Sequence, residues 1–202
     1  MVQYNYDEDS PPVRGIPMTL EAFEDLVDHP GPYRYEMIRG LVYDMAPPSQ
    51  EHATISFNIT KIFKEQLGTQ VPCRVFQEQR VAIPGDIPST EPDVVVTCNR
   101  ADWDKKYRKP KHHRIESPLI VVEILSPGTE EFDRTEKFAR YIKCPSLAVY
   151  ILVSQDEERV EVYQRVNAWR PEIFTAGQTI KLDPMDLELP MAEIYFQVFS
   201  DD

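Results

Sequence analysis

Leu119-Ile-Val-Val-Glu-Ile-Leu125 is a run of aliphatic and β-branched residues with one carboxylate inside it. A short run that is apolar at odd and even positions alike reads as a strand buried on both faces, the kind found in the middle of a sheet covered by helices. Glu123 interrupts it. An ionised carboxylate taken out of water costs several kcal/mol unless cations or hydrogen bonds compensate. Two readings stand for it: a site residue with a cation beside it, or an acid at the C-terminal end of the strand that reaches solvent.

Working outward, Ser126-Pro-Gly-Thr129 turns the chain into a helix that Thr129 or Asp133 would cap, with Glu130, Glu131 and Asp133 suited to its N-terminus. Asp133, Lys137 and Tyr141 are spaced by four and share a face; a solvent-side ion pair accounts for the first two. Pro145 ends this helix, and Leu147-Ala-Val-Tyr-Ile-Leu-Val153 follows as a second buried strand. A strand reached through a helix is the pattern of a crossover between parallel neighbours. Arg159-Val-Glu-Val-Tyr-Gln-Arg165 alternates and reads as a half-exposed antiparallel strand. Further edge strands and a short amphipathic segment over 191–199 are expected after it.

On the other side lies Glu91-Pro-Asp-Val-Val-Val-Thr97, where a proline opens a strand at little cost to its ladder and Asp93 follows directly. A turn-closing aspartate that binds backbone N–H groups accounts equally well for Asp93. Between the two strands runs a polar connection. Lys105, Lys106, Arg108, Lys109, Lys111 and Arg114 place six of the chain's 22 Lys and Arg residues in ten positions. This is the candidate phosphate contact, with Trp103 and Tyr107 available for base stacking; a solvated loop is the competing reading.

Residues 1–17 have little to bury and read as a flexible lead, and 18–202 as a single domain. Thr19 caps a short helix to about Val27. Two short strands about Arg39-Gly40 follow, carrying Glu36 and Asp44. Ser49 caps a second helix to about Leu67, whose Ile55, Ile59, Ile62, Phe63 and Leu67 lie on one stripe and whose first turn holds His52. Residues 72–84 read as a strand pair or one long strand. The formal charge of −12 excludes a surface that binds polyanions everywhere and confines any nucleic-acid contact to a local patch. Cys73, Cys98 and Cys144 form no CxxC pair, and their odd number suits reduced thiols better than a disulfide framework. No apolar run reaches the roughly 20 residues of a membrane span. The N-terminus is acidic where a secretion signal would be basic, so a cytoplasmic setting is expected.

Taken in order, Tyr35-Glu-Met-Ile-Arg-Gly-Leu41, Glu51-His52, Glu91-Pro-Asp-Val-Val-Val96, Val121-Val-Glu-Ile-Leu-Ser-Pro-Gly-Thr129 and Asp133-Arg-Thr-Glu-Lys137 followed by Tyr141 resemble the Uma2 family. This is the former DUF820 group of restriction endonuclease-like proteins within the PD-(D/E)XK nuclease superfamily. The resemblance runs from about residue 18 to 165. It implies an α/β (α+β) fold with a restriction endonuclease-like mixed β-sheet flanked by helices. It also implies that Asp93 and Glu123 meet at one edge and, with the backbone carbonyl of Ile124 and waters, hold Mg²⁺ or Mn²⁺, for which an all-oxygen donor set is suited. The superfamily lysine two residues after the glutamate is replaced by Leu125; the resemblance moves its role to Lys137. Glu36, His52, Asp133 and Tyr141 match family positions as accessory residues. The stretch Cys144-Pro-Ser-Leu-Ala-Val-Tyr-Ile-Leu-Val-Ser154 departs from the family's usual acid- and Trp-bearing strand.

The expected function is a metal-dependent endonuclease hydrolysing phosphodiester bonds in DNA, with Asp93, Glu123 and Lys137 catalytic and the basic span contacting nucleic acid. A homodimer is expected by analogy with cutting both strands of a duplex. The competing function is a catalytically silent nuclease-like fold kept as a nucleic-acid or protein binding module.

Overall fold

The structure is a computed structural model that describes residues 15–28, 34–45, 47–68, 72–85, 88–104 and 114–199. They fall into two compact units that divide between residues 46 and 47.

In the first unit, order expected from Met18 reaches back to Ile16–Pro17 (β1), which pairs antiparallel with Leu41–Asp44 (β3). Helix α1, Leu20–Asp28, is capped by the Thr19 hydroxyl, which accepts from the Ala22 N–H at 3.2 Å. Tyr35–Ile38 (β2) and β3 pair with Ile38 opposite Leu41, leaving a two-residue turn at Arg39 and Gly40. Both take positive φ, 51° and 79°. That is the turn whose twist matches a hairpin, and Gly40 adopts it without a steric cost. Phe23, Met37 and Val42 form this unit's core.

The second unit is built on a six-stranded mixed sheet of order β4-β5-β6-β7-β8-β9. Its strands are Arg74–Gln77, Val94–Thr97, Pro118–Leu125, Val149–Ser154, Arg159–Gln164 and Pro171–Thr175. The stretch quoted at the outset is β6, buried along nearly its whole length in the middle of the sheet. β6 and β7 are parallel, as the intervening helix requires, and the other pairs are antiparallel. Residues 72–84 yield the single strand β4, not a pair; Val81 instead bridges Thr90 and Ile115. β8 is more buried than its alternating pattern implies, since Val160, Glu161 and Val162 are all covered.

Each face of the sheet has its own core. Helix α2, Gln50–Leu67, is capped by Ser49 Oγ, which accepts from the His52 N–H at 3.1 Å. Its stripe Ile55, Ile59, Ile62, Phe63 and Leu67 packs on Val94, Val96, Val122, Ile124 and Ile151. The same core takes in the hairpin of β10, Thr179–Leu182, and β11, Leu187–Pro190, and the short α5, Met191–Ile194. The opposite face packs Val95, Val121, Leu125, Tyr150 and Leu152 against Tyr141, Cys144 and Leu147 of the crossover. That crossover runs as α3, Glu130–Phe132, a π-helical turn, Asp133–Lys137, and α4, Phe138–Tyr141. Among the described residues no helix is long and apolar enough to cross a membrane.

The reading of three reduced thiols is corrected. Cys73 and Cys98 are joined in a disulfide. Arg74 pairs with Thr97 across β4 and β5, so one more step of that register sets Cys73 against Cys98. A sequence separation of 25 gives no hint of this contact; antiparallel pairing creates it. Cys144 is free and buried, and burial pushes its thiol up to about 11. Native protein at pH 8 is therefore expected to leave Cys144 unalkylated by iodoacetamide. Unfolded protein without reductant should expose one thiol and reduced, unfolded protein three, counted by mass; a count of three without reductant would remove the disulfide.

Candidate active site

The pairing of β5 with β6 sets Val94 opposite Val122. One step further, the same register puts Asp93 opposite Glu123, and residues paired directly across strands project from the same face. Both acids therefore leave the sheet on the side covered by the crossover. Asp93 is tied to the neighbouring strand, since its Oδ2 accepts from the Ile124 N–H at 2.7 Å. Its Oδ1 lies 3.3 Å from His52 Nε2, presented by the first turn of α2.

Glu123 is 2 % exposed, so the reading that lets it reach solvent is excluded. Lys137 Nζ stands 3.2 Å from Glu123 Oε2 and 2.9 Å from Asp133 Oδ1. The solvent-side ion pair between Asp133 and Lys137 becomes, in the structure, a pair 2 % and 4 % exposed. Its physical cause is the sheet: the shared helical face of Asp133, Lys137 and Tyr141 is the face laid on Glu123, so burial turns a surface pair into part of a core network. The other Glu123 oxygen accepts from Tyr141 Oη at 3.2 Å, and Tyr141 in turn accepts from Thr90 Oγ1 at 2.5 Å.

Asp133 is held as firmly. Its Oδ2 accepts from Thr129 Oγ1 at 2.8 Å, Thr129 lies 3.0 Å from Ser126 Oγ, and the Asp133 carbonyl accepts from Tyr150 Oη at 2.9 Å. Thr129 thus serves Asp133 with its side chain and makes no capping bond to the helix. Burial raises the Tyr150 hydroxyl well above its ordinary range, and Glu123 and Asp133 raise it further, so it stays protonated and donating.

Sequence reasoning named Asp93, Glu123, Lys137, His52, Asp133 and Tyr141; the structure sets Lys137 and Tyr141 on Glu123, Asp133 on Lys137, and His52 on Asp93, which reaches the backbone N–H of Ile124 beside Glu123. It missed Thr90 and Tyr150. Thr129 was read only as a helix cap. Tyr150 carries no signal, being one aromatic in an apolar strand, and the tie to Thr90 is made entirely by folding. Glu36 lies on β2 of the first unit, buried opposite Tyr43. Of the basic span, Arg114 is half-buried next to Ile115, whereas Lys105, Lys106, Arg108, Lys109 and Lys111 lie outside the described residues. The two stems of that connection are joined: Asp102 accepts from Thr97 Oγ1 at 2.5 Å and from the Glu116 N–H at 2.9 Å, and Asn99 donates to Ser117 at 2.9 Å.

The residues suit a hard divalent cation in their donor chemistry. Asp93 brings one carboxylate to the Ile124 N–H, and Glu123 brings a second from the residue just before it, so two carboxylates stand on neighbouring strands. In paired strands the N–H and C=O of one residue point the same way, so the Ile124 carbonyl opens to the side where its N–H meets Asp93. Among the described residues no three His, Cys, Asp or Glu side chains are grouped to hold an ion. An ion here would be carried by two carboxylates, a carbonyl and waters, as Mg²⁺ commonly is.

Three comparisons bear on this arrangement. The model of the Uma2 family, described as "Putative restriction endonuclease", matches residues 20–192. An uncharacterized protein of Synechocystis, slr1290, is 30% identical over 165 residues, covering 80% of this chain and 83% of the relative. A second from the same organism, sll1609, is 28% identical over 131 residues, covering 65% and 72%. A crystal structure of "a putative nuclease belonging to DUF820" from Anabaena variabilis superposes with a TM-score of 0.74 at 22% identity, covering 91% of this chain and all of that one. At that identity the match establishes the fold.

Removing the ammonium takes a shared ion-pair partner from two buried carboxylates. Lys137→Met is expected to destabilise the fold by about 3–5 kcal/mol, and adding Glu123→Gln to recover part of that loss, measured by urea unfolding. An unchanged midpoint in the single variant would show that Lys137 does not compensate these acids.

Proposed function

We propose, from the premise that this chain belongs to the Uma2 family, that it is a metal-dependent endonuclease hydrolysing phosphodiester bonds in DNA. The observation that carries the reading is Asp93 set opposite Glu123 on adjacent strands, with the Lys137 ammonium 3.2 Å from the glutamate. Asp93, Glu123 and the Ile124 carbonyl would hold Mg²⁺ or Mn²⁺, which supplies Lewis-acid polarisation of a phosphoryl oxygen and a more acidic water.

The chain's own residues do the positioning. The Ile124 N–H and His52 orient Asp93; Tyr141 and Lys137 orient Glu123 from its two oxygens. Lys137 keeps a positive charge beside the carboxylates, where it offsets charge that builds on the phosphate as the bond breaks. The Lys137 ammonium forms ion pairs with both Glu123 and Asp133, which places its charge between the two carboxylates. Lys137 thus takes the role of the lysine that Leu125 does not supply.

Lys105, Lys106, Arg108, Lys109, Lys111 and Arg114 are the proposed contact to the DNA backbone, a local positive stretch on a chain of charge −12. Two copies, one for each strand of a duplex, complete the reading, with the cytoplasm as the compartment where the substrate is met.

Purified protein with Mg²⁺ or Mn²⁺ is expected to nick duplex DNA. Glu123→Gln and Asp93→Asn, both close in shape to the residues they replace, should each lower the rate by about a hundredfold or more. Metal-binding heat should fall with them in calorimetry. Wild-type protein that binds DNA in a salt-dependent way, binds no metal and cuts nothing would replace this reading with the silent binding module.

A further inference from the structure

The π-helical turn that carries Asp133 and Lys137 is tied to the sheet at one point the chemistry above leaves unused. Glu123 pairs with Leu152 across β6 and β7, and Leu152 pairs with Glu161 across β7 and β8. Glu161 thus stands in the same row and on the same face as Glu123, two strands away. It is 7 % exposed and is gripped from three sides. Arg134 donates to its Oε2 at 2.6 Å, Arg159 to its Oε1 at 3.1 Å, and Tyr163 Oη to its Oε2 at 3.1 Å. Burial alone pushes the Glu161 carboxyl up, but Arg134, Arg159 and Tyr163 outweigh it and hold the group below the ordinary carboxylate value. Glu161 is therefore an anion at neutral pH.

Arg134 follows Asp133 directly and is braced on its other side by Glu130 at 2.8 Å. A single wide turn inside a helix departs from the favoured 3.6-residue geometry and persists where outside contacts hold it. Three such contacts reach this turn from the sheet. Tyr150 holds the Asp133 carbonyl, Glu161 holds the Arg134 guanidinium, and Glu123 meets the Lys137 ammonium. The first two flank Asp133, and the third joins Lys137 to Glu123.

We infer that Glu161 is a positioning residue: through Arg134 it fixes the wide turn on the sheet and so sets where the Asp133 carboxylate and the Lys137 ammonium stand relative to Glu123. The clamp rests on geometry alone; its catalytic consequence rests on the nuclease reading. Arg159, with two nitrogens on Oε1, and the phenol of Tyr163 keep Glu161 in place for this role, much as outer residues orient an active-site group elsewhere.

The test compares Glu161→Gln, Arg134→Met at a partly exposed side chain, and the double variant with wild type. Amide exchange in 133–141 is expected to rise about tenfold in each single variant, while protection of β6 and β7 is kept. On DNA, kcat should fall by about tenfold to a hundredfold with KM unchanged, since a misplaced group costs rate without costing binding. The double variant should be no worse than Glu161→Gln alone, because that change already removes the contact to Arg134. Unchanged exchange in Arg134→Met, which retains the buried acid and its other partners, overturns the clamp whether or not the protein cuts DNA. Raised exchange with unaltered kcat overturns the positioning role, and a rise in KM alone would make the pair a substrate contact instead. If wild type cuts no DNA, the nuclease reading fails by itself, and the clamp stands or falls on the exchange measurement.

Discussion

One buried ammonium organises the candidate site. Lys137 meets Glu123 and Asp133 in a region from which water is almost wholly excluded, and each of the three would be costly there without the others. Desolvation makes the arrangement all-or-none. The crossover cannot leave the sheet without stranding Glu123, and the sheet cannot present Glu123 to an apolar helix. Hydroxyl donors complete the set, with Tyr141 on Glu123, Thr129 on Asp133 and Tyr150 on the backbone between them. A network of this kind favours a single arrangement because a partly satisfied version of it is worse than an apolar core.

The sheet supplies the coordinates for this network. Reading across β5, β6, β7 and β8, a single row runs through Asp93, Glu123, Leu152 and Glu161. Its acids project to the crossover side, while the opposite face of the same strands packs on α2 with valines and isoleucines. Alternation along each strand separates the two faces, and pairing between strands aligns the acids. The crossover then adds its own charged residues at helical spacing. A one-residue slip in any of these ladders would send an acid into the α2 core, so the hydrophobic pattern that builds the fold also protects the site.

The connection between β5 and β6 shows a related division of labour. Its stems are fixed by Asp102, Asn99 and the Cys73–Cys98 disulfide at the start of the segment. Arg74 packs over Trp103 at 5.6 Å, so the aromatic that sequence reasoning offered for base stacking is already engaged by an arginine of β4. The described residues on either side of the positive span are thus tied to one another.

Local chemistry made much of this legible before any folding was considered. The apolar run 119–125 is a central strand, Ser49 and Thr19 cap helices, Arg39-Gly40 turns a hairpin, and the helix between two apolar strands makes a parallel crossover, because each depends on residues near one another in the chain. The choice of Asp93 and Lys137 depended further on a resemblance, since of the three only Glu123 stands out from its own surroundings, as a carboxylate inside an apolar run. What tertiary structure decided is what depends on residues distant in sequence. It buried the Asp133–Lys137 pair that helical spacing alone left at the surface, joined Cys73 to Cys98, tied Thr90 to Tyr141 and set Glu161 beside Arg134. Spacing within one helix shows which residues share a face; only the sheet laid against that face determines whether its charges meet water or one another.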